Sequence, residues 1–202
     1  METGVRARSS QQRQKTILDA ALVLLLEKGF GATTLDQILE RSGASVGSFY
    51  HHFKSKLDVA AALYLTILES YQRAFVTELR KHDDARTGIE GGVRHHLRWV
   101  TSAPKAAAYL THCREPEVAE ASEARAQELN RAFFEQLIGW LTTHISAKTI
   151  KSLPVELYHP LWIGPADEFA RYWLADSRSK KQLLMAESVL APAAWEALRE
   201  HG

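Results

Sequence analysis

Apolar side chains recur at intervals of three and four along almost the whole chain, the spacing of one buried stripe per helix. Ile17, Ala21, Leu24 and Leu25 give the inward face of a first helix over about Ser9 to Lys28, ended by Gly29. Leu35, Ile38 and Leu39 mark a short helix, and Phe49 and Phe53, four apart, anchor another. Leu57, Ala60, Ala61, Tyr64, Leu65, Leu68, Tyr71 and Phe75 predict a long fourth helix over about Ser55 to Arg80, broken by K-H-D-D-A at 81–85. A helix over about Ala85 to Ser102 follows, weakened in its first half by Gly88, Gly91 and Gly92. Pro104 opens a short helix ending near Cys113, and Leu129, Phe133, Leu137 and Trp140 stripe a long one over 116–145. Prolines interrupt the helical segment at 154–165, because each removes an N–H and blocks a preceding carbonyl. A helix through Trp173, another over about Lys180 to Leu190 and a closing turn, P-A-A-W-E-A-L-R-E, complete an all-α chain in which no segment reads as a strand or a repeat.

Residues 33–53, T-T-L-D-Q-I-L-E-R-S-G-A-S-V-G-S-F-Y-H-H-F, read as helix, tight turn and helix. Thr33 and Thr34 are placed to cap the first helix, Gly43 to stop it, and Ser45 to cap the second. Gly47 lets backbone approach a base edge, while Tyr50, His51 and His52 remain near the outer face, where phenol and imidazole can meet phosphates. Lys54 and Lys56 add cations just beyond. This is how one helix is offered to the major groove. On spacing alone, a plain helix-turn-helix packing unit satisfies the pattern equally.

Charge tilts the balance toward nucleic acid. Residues 1–56 carry 8 Lys+Arg against 5 Asp+Glu (+3), and residues 57–202 carry 17 against 19 (−2), giving the chain its +1. The cationic end coincides with the motif. With 202 residues and 46% hydrophobic content, the chain has room for one large helical domain and a small one. A single cysteine, Cys113, excludes an internal disulfide framework and reads as a small buried hydrophobe rather than a redox sensor. The N-terminal M-E-T-G-V-R-A-R-S-S-Q-Q-R-Q-K reads as a flexible basic arm rather than a secretory signal. The longest apolar run, A-A-L-V-L-L-L at 20–26, is too short to span a bilayer, so a cytoplasmic protein without membrane partners is expected.

Several separate pieces of the first quarter resemble, in order, the N-terminal domain of TetR-type (TetR/AcrR) transcriptional regulators. They are I-L-D-A-A-L at 17–22, K-G-F-G-A-T-T-L at 28–35, I-L at 38–39, S-G-A-S-V-G-S-F-Y-H-H-F at 42–53 and K-S-K-L at 54–57. The resemblance implies an N-terminal arm and three-helix helix-turn-helix DNA-binding domain over 1–55, with the motif at about 34–53. A larger helical ligand-binding and dimerisation domain follows over 56–202. By position, Val46, Gly47, Ser48 and His51 face base edges. Thr33, Thr34, Ser45, Tyr50, His52, Lys54 and Lys56 face phosphates. The chain departs from the family's commonest pattern at Leu39, Ser42 and above all Val46, where a cation is frequent and where valine is suited to a thymine methyl.

The same resemblance implies pairing of the late helices with a second copy, through Phe169, Tyr172, Trp173, Leu183, Leu184, Val189 and Leu190. Physical reason agrees, because one short helix reads too few bases and two copies read a palindrome. It also implies a pocket for a small apolar or amphipathic inducer, with Trp99, Tyr109, His112, Phe133, Trp140 and Trp162 as candidate walls. A packed aromatic core has the same sequence signature. The adjacent pairs His51-His52 and His95-His96 point apart on a helix, and no H-E-x-x-H, Cys/His cluster or G-x-S-x-G is present, so neither an enzyme, a metal site nor a cofactor is expected. The expected function is a ligand-released repressor that binds a palindromic operator as a homodimer. A helical protein-interaction adaptor without operator binding is the alternative.

Overall fold

A computed structural model describes residues 2–112, 115–175 and 179–200, with backbone alone for 2–9, His112 and Lys180. His112 as a pocket wall and Cys113 therefore lie outside the described side chains. The helices are α1 (Glu2–Ala32), α2 (Leu35–Ser42), α3 (Val46–His52), α4 (Lys56–Leu79), α5 (Ala85–Ser102), α6 (Pro104–His112), α7 (Pro116–Ser146), α8 (Val155–Trp162), α9 (Gly164–Ala175) and α10 (Lys180–Leu198). Among the described residues there is no strand, only an isolated bridge between Ile150 and Arg199. None of their helices is long and apolar enough to cross a membrane.

Three boundaries differ from the sequence expectation. The backbone is already helical at Glu2, within the stretch expected to be a flexible arm, and α1 is interrupted at Gly29 (φ 78°) before a last turn to Ala32. α5 is intact despite its glycines, because Asp84 caps it by accepting from Thr87 N at 2.9 Å. α10 runs on through Pro192 to Leu198, whereas the sequence suggested an end near Leu190. Pro192 costs that helix one internal bond, while its flanking turns are held by the buried Ala191, Ala194 and Leu198.

The chain divides into two compact units, Met1–Leu68 with Ala108–Gln127 and Glu69–Ala107 with Glu128–Gly202. In the first, Ile17, Ala21 and Leu24 of α1, Ile38 of α2, Phe49 of α3 and Val59 and Ala60 of α4 are all buried. Tyr109 is buried here too, and its hydroxyl donates to the Ala60 carbonyl at 3.1 Å.

In the second unit, Phe75, Ile89, Val93, Leu97, Leu141, Trp162 and Leu198 belong to one core. Trp162 donates its indole N–H to the Ile89 carbonyl at 2.9 Å. Trp140 stacks on Trp162, with ring centroids 5.9 Å apart. It lies so close to α5 that a Cβ at Gly88 would stand 2.3 Å from its Cζ2. Glycine is therefore the residue that admits the indole, and the break expected there is a packing notch.

A polar line crosses this apolar unit. The Tyr71 hydroxyl lies 2.8 Å from His96 Nδ1. His96 Nε2 is 3.1 Å from Asp167 Oδ1, off the hydrogen-bond axis. Asp167 Oδ2 is 3.1 Å from His159 Nε2. Burial depresses the basicity of His96 against the pull of Asp167, while the hydrogen bond to Asp167 raises that of His159. Burial, reinforced by the Asp167 charge, holds the Tyr71 phenol neutral.

Candidate nucleic-acid interface

Local chemistry fixes the motif before any packing does. Thr34 and Gln37 form a reciprocal capping box at the start of α2, satisfying two otherwise orphan N–H groups. Gly43 ends α2 in the left-handed region (φ 65°), where a side chain would be strained. The Ser42 hydroxyl accepts from Ala44 N at 3.3 Å and so shapes the turn. Ser45 then caps α3 by accepting from Ser48 N at 3.2 Å. Ser55 and Asp58 brace the next start, since Asp58 N donates to Ser55 Oγ and Lys54 N to the Asp58 carboxylate.

Packing sets which way α3 faces. Phe49 is fully buried and Phe53 nearly so, with ring centroids 5.8 Å apart. The opposite face stands in solvent, with Val46 58% and Tyr50 56% exposed and Gly47 and His51 also exposed. Ser48 and His52 are half-buried at its edges. Burial first, then the neighbouring His51 and Arg13, hold His52 below the ordinary imidazole range, so its ring is neutral near neutral pH. Thr34, Ser45 and Lys54 are exposed around this face.

Two residues expected at phosphates are placed elsewhere. Thr33 is 1% exposed, and its hydroxyl donates to the carbonyls of Gly29 (2.8 Å) and Leu24 (3.3 Å). Lys56 turns inward, with Nζ 2.6 Å from the Phe30 carbonyl, 2.7 Å from the Thr33 carbonyl and 4.2 Å from the Phe30 ring centroid. Both clamp the α1–α2 connection, which leaves them no reach toward a duplex.

Conversely, Arg13 and Thr16 of α1 line a groove with Ser42, Gly43, Ala44, Ser45 and Ser48, a neighbourhood sequence reasoning missed. The +3 balance of the first 56 residues was a signal for a cation there, without saying which one.

The residues expected at a pocket are dispersed. Tyr109 belongs to the first unit's interior, its hydroxyl committed to Ala60. Trp99, Phe133, Trp140 and Trp162 belong to the second. There Trp162 is buried and the other three are half-buried. Phe133 and Trp140 pack on the main core, while Trp99 borders a small cluster of Val100, Ala107 and Ala170.

Of the residues expected at a dimer interface, Leu183 is buried within its own unit, so it is not available to a second copy. Phe169, Trp173 and Leu190 are half-buried against the core. Tyr172, Leu184 and Val189 are more than half exposed, as is Met185 beside them. Among the described residues no three His, Cys, Asp or Glu side chains are grouped to hold a metal ion.

The comparisons with known proteins agree with this geometry. The sequence model of the bacterial regulatory proteins of the tetR family matches residues 17–63. Over 186 residues the chain is 22% identical to the fatty acid metabolism regulator protein of Bacillus subtilis (strain 168), covering 89% of this chain and 94% of that one. It is 27% identical over 146 residues to the HTH-type transcriptional repressor KstR2 of Rhodococcus jostii (strain RHA1), covering 72% of each. Among solved structures it is similar to the transcriptional regulator FadR from Bacillus subtilis in complex with stearoyl-CoA. That match has a TM-score of 0.74 at 19% identity, over 91% of this chain and 98% of that one. With a capped, outward-facing motif inside the matched segment, and the fold of such regulators over most of its length, the protein is a TetR/AcrR-type regulator.

Proposed function

We propose that the protein is a ligand-released transcriptional repressor that holds a palindromic duplex operator as a homodimer. The observation that carries the reading is α3 itself: Phe49 pins one face into the core, and the other presents Val46, Gly47 and Tyr50 to solvent. Residues 1–55 act as the DNA-binding domain and 56–202 as the ligand-binding and dimerisation domain. Val46, Gly47, Ser48 and His51 read base edges. Thr34, Ser45, Tyr50, His52 and Lys54 hold the backbone, which fixes register without conveying sequence.

Dimerisation is supported by exposed apolar side chains on the last two helices, since a soluble surface rarely leaves such a stripe uncovered. Leu184, Met185 and Val189 fall on one side of α10, and Tyr172 is exposed on α9. The ligand class is supported by the aromatic content of the second unit and by the relative whose structure holds stearoyl-CoA. An amphipathic molecule of the acyl-CoA kind is the first probe. α4 is continuous from Lys56 to Leu79 and carries the response toward the motif.

The test is a gel shift against duplexes selected by the protein from a randomised library. A palindrome-selective, salt-sensitive shift is expected, with long-chain acyl-CoA weakening it by about 5- to 150-fold. A protein that shifts no duplex even at low salt is not this regulator. A probe that binds tightly yet leaves operator affinity unchanged is not its ligand.

A further inference from the structure

The groove beside the motif has no role in the reading above, although it rests on that reading for its partner. Arg13 and Thr16 come from α1, Ser42 to Ser45 from the turn and Ser48 from α3, enclosing about 320 Å³. No carboxylate lines it. Nearby cations are compensated: Lys15 lies 2.6 Å from Asp19, and Arg41 lies 3.3 Å from Glu27. Arg13 is exposed and, among the described residues, has no acidic partner. Its charge is felt at His52, at the far end of α3.

The hydroxyls of the groove divide into two kinds. Ser42 donates to the Leu39 carbonyl and Thr16 to the Gln12 carbonyl, so both are spent on their own backbone. Ser45 accepts from Ser48 N, which occupies a lone pair and leaves its O–H proton to donate outward. A guanidinium with no local counter-charge facing a donating hydroxyl is a pair that selects a phosphate oxygen.

We propose that Arg13 and Ser45 clamp one phosphodiester of the operator backbone in this groove, with Thr16 and Gly43 as its walls. The duplex backbone is the favoured source of the phosphate because Ser45 and Ser48, which line the groove, are also the first-turn residues of the solvent-facing α3. The contact ties α1 to the duplex and so fixes the angle at which α3 enters the groove. Arg13 is a positioning residue and reads no base.

The experiment uses the full chain and an operator selected by it from a randomised library. Binding is followed by fluorescence anisotropy over a salt series for the unsubstituted chain, Arg13→Ala, Arg13→Lys and Lys15→Ala. Arg13→Ala is expected to reduce the slope of log K against log salt by about 0.9 for each head engaged, with sequence preference unchanged. Arg13→Lys restores the slope, and Lys15→Ala, already neutralised by Asp19, leaves it unaltered. Replacing single phosphates by methylphosphonate locates the contact. One position per half-site weakens the unsubstituted chain and has no further effect on Arg13→Ala.

An unchanged slope in Arg13→Ala, or the absence of any phosphate coupled to residue 13, overturns the clamp while operator binding itself stands. If inorganic phosphate stabilises the unsubstituted chain but not Arg13→Ala, and both share one slope, the groove holds a free anion and the proposal is wrong. Failure of the unsubstituted chain to bind any duplex removes both the clamp and the regulator reading.

Discussion

Lys56 offers a decisive measurement, because sequence and structure assign it opposite jobs. A lysine two residues past the recognition helix suggests a phosphate contact. In the structure its ammonium is held by two carbonyls at 2.6 and 2.7 Å and lies over the Phe30 ring. Replacement by Met keeps the apolar stem and removes the charge. A buried charge-assisted hydrogen bond is worth about 1.5–3 kcal/mol net. These carbonyls are part-buried and regain some water, which brings each to about 1 kcal/mol. The ring contact adds about 0.5–1 kcal/mol. Lys56→Met is therefore expected to lower the unfolding free energy of the head by about 2–3 kcal/mol. Urea unfolding followed by circular dichroism measures this, and anisotropy over a salt series measures phosphate contacts. Lys56→Met should leave the salt slope unchanged, whereas Lys54→Ala should reduce it by about 0.9 per head. Unaltered stability together with a reduced slope in Lys56→Met would refute the clamp and return the ammonium to the duplex.

Further expectations concern other parts of the chain. Thr33→Val deprives the Gly29 and Leu24 carbonyls of a buried donor and should cost about 1–3 kcal/mol of stability in urea unfolding. Gly88→Ala drives a methyl into Trp140 and should cost about 1–3 kcal/mol, with a shift in tryptophan emission as the indole is displaced. An unshifted spectrum would contradict the notch. Val189→Glu with Leu184→Glu should yield a monomer by sedimentation, with operator affinity falling far more than non-specific affinity. A persistent dimer would place the interface elsewhere. His52 has its basicity depressed by burial, His51 and Arg13, so the folded protein alone resists its protonation. A bound phosphate reverses that field, so operator affinity should rise as pH falls from about 7 through the histidine range. Stability without DNA moves the other way on this account, declining as pH falls below the ordinary imidazole value. His52→Gln should flatten the affinity profile.

The head was legible because its signals are local. A capping threonine, a left-handed glycine, a capping serine and two phenylalanines four apart each act within a few residues. Direction was less legible. Thr33 and Thr34 are equivalent as sequence, yet Thr34 caps α2 while Thr33 folds back on α1, a choice made by the Gly29 break upstream. Lys56 was misplaced because two carbonyls more than twenty residues away were hidden from inspection. Leu183 and Leu184 are neighbours on one helix, and only its packing against the unit decides that the first is interior and the second exposed. Arg13 was overlooked because its significance lies in the missing acid, and the ion pairs of its neighbours depend on three-dimensional spacing.

The line from Tyr71 to His159 has a mechanical consequence. Oily contacts between helices are forgiving, since one methyl group replaces another as surfaces slide. Four polar groups in file are not. They draw one residue from each of α4, α5, α9 and α8, and Asp167 serves an imidazole with either oxygen. Sliding α9 by a single turn would strand that carboxylate and two rings at once, at about 1–3 kcal/mol for each buried group left alone. The larger unit is thus notched like a detent, stable at one setting and able to move only in a discrete step.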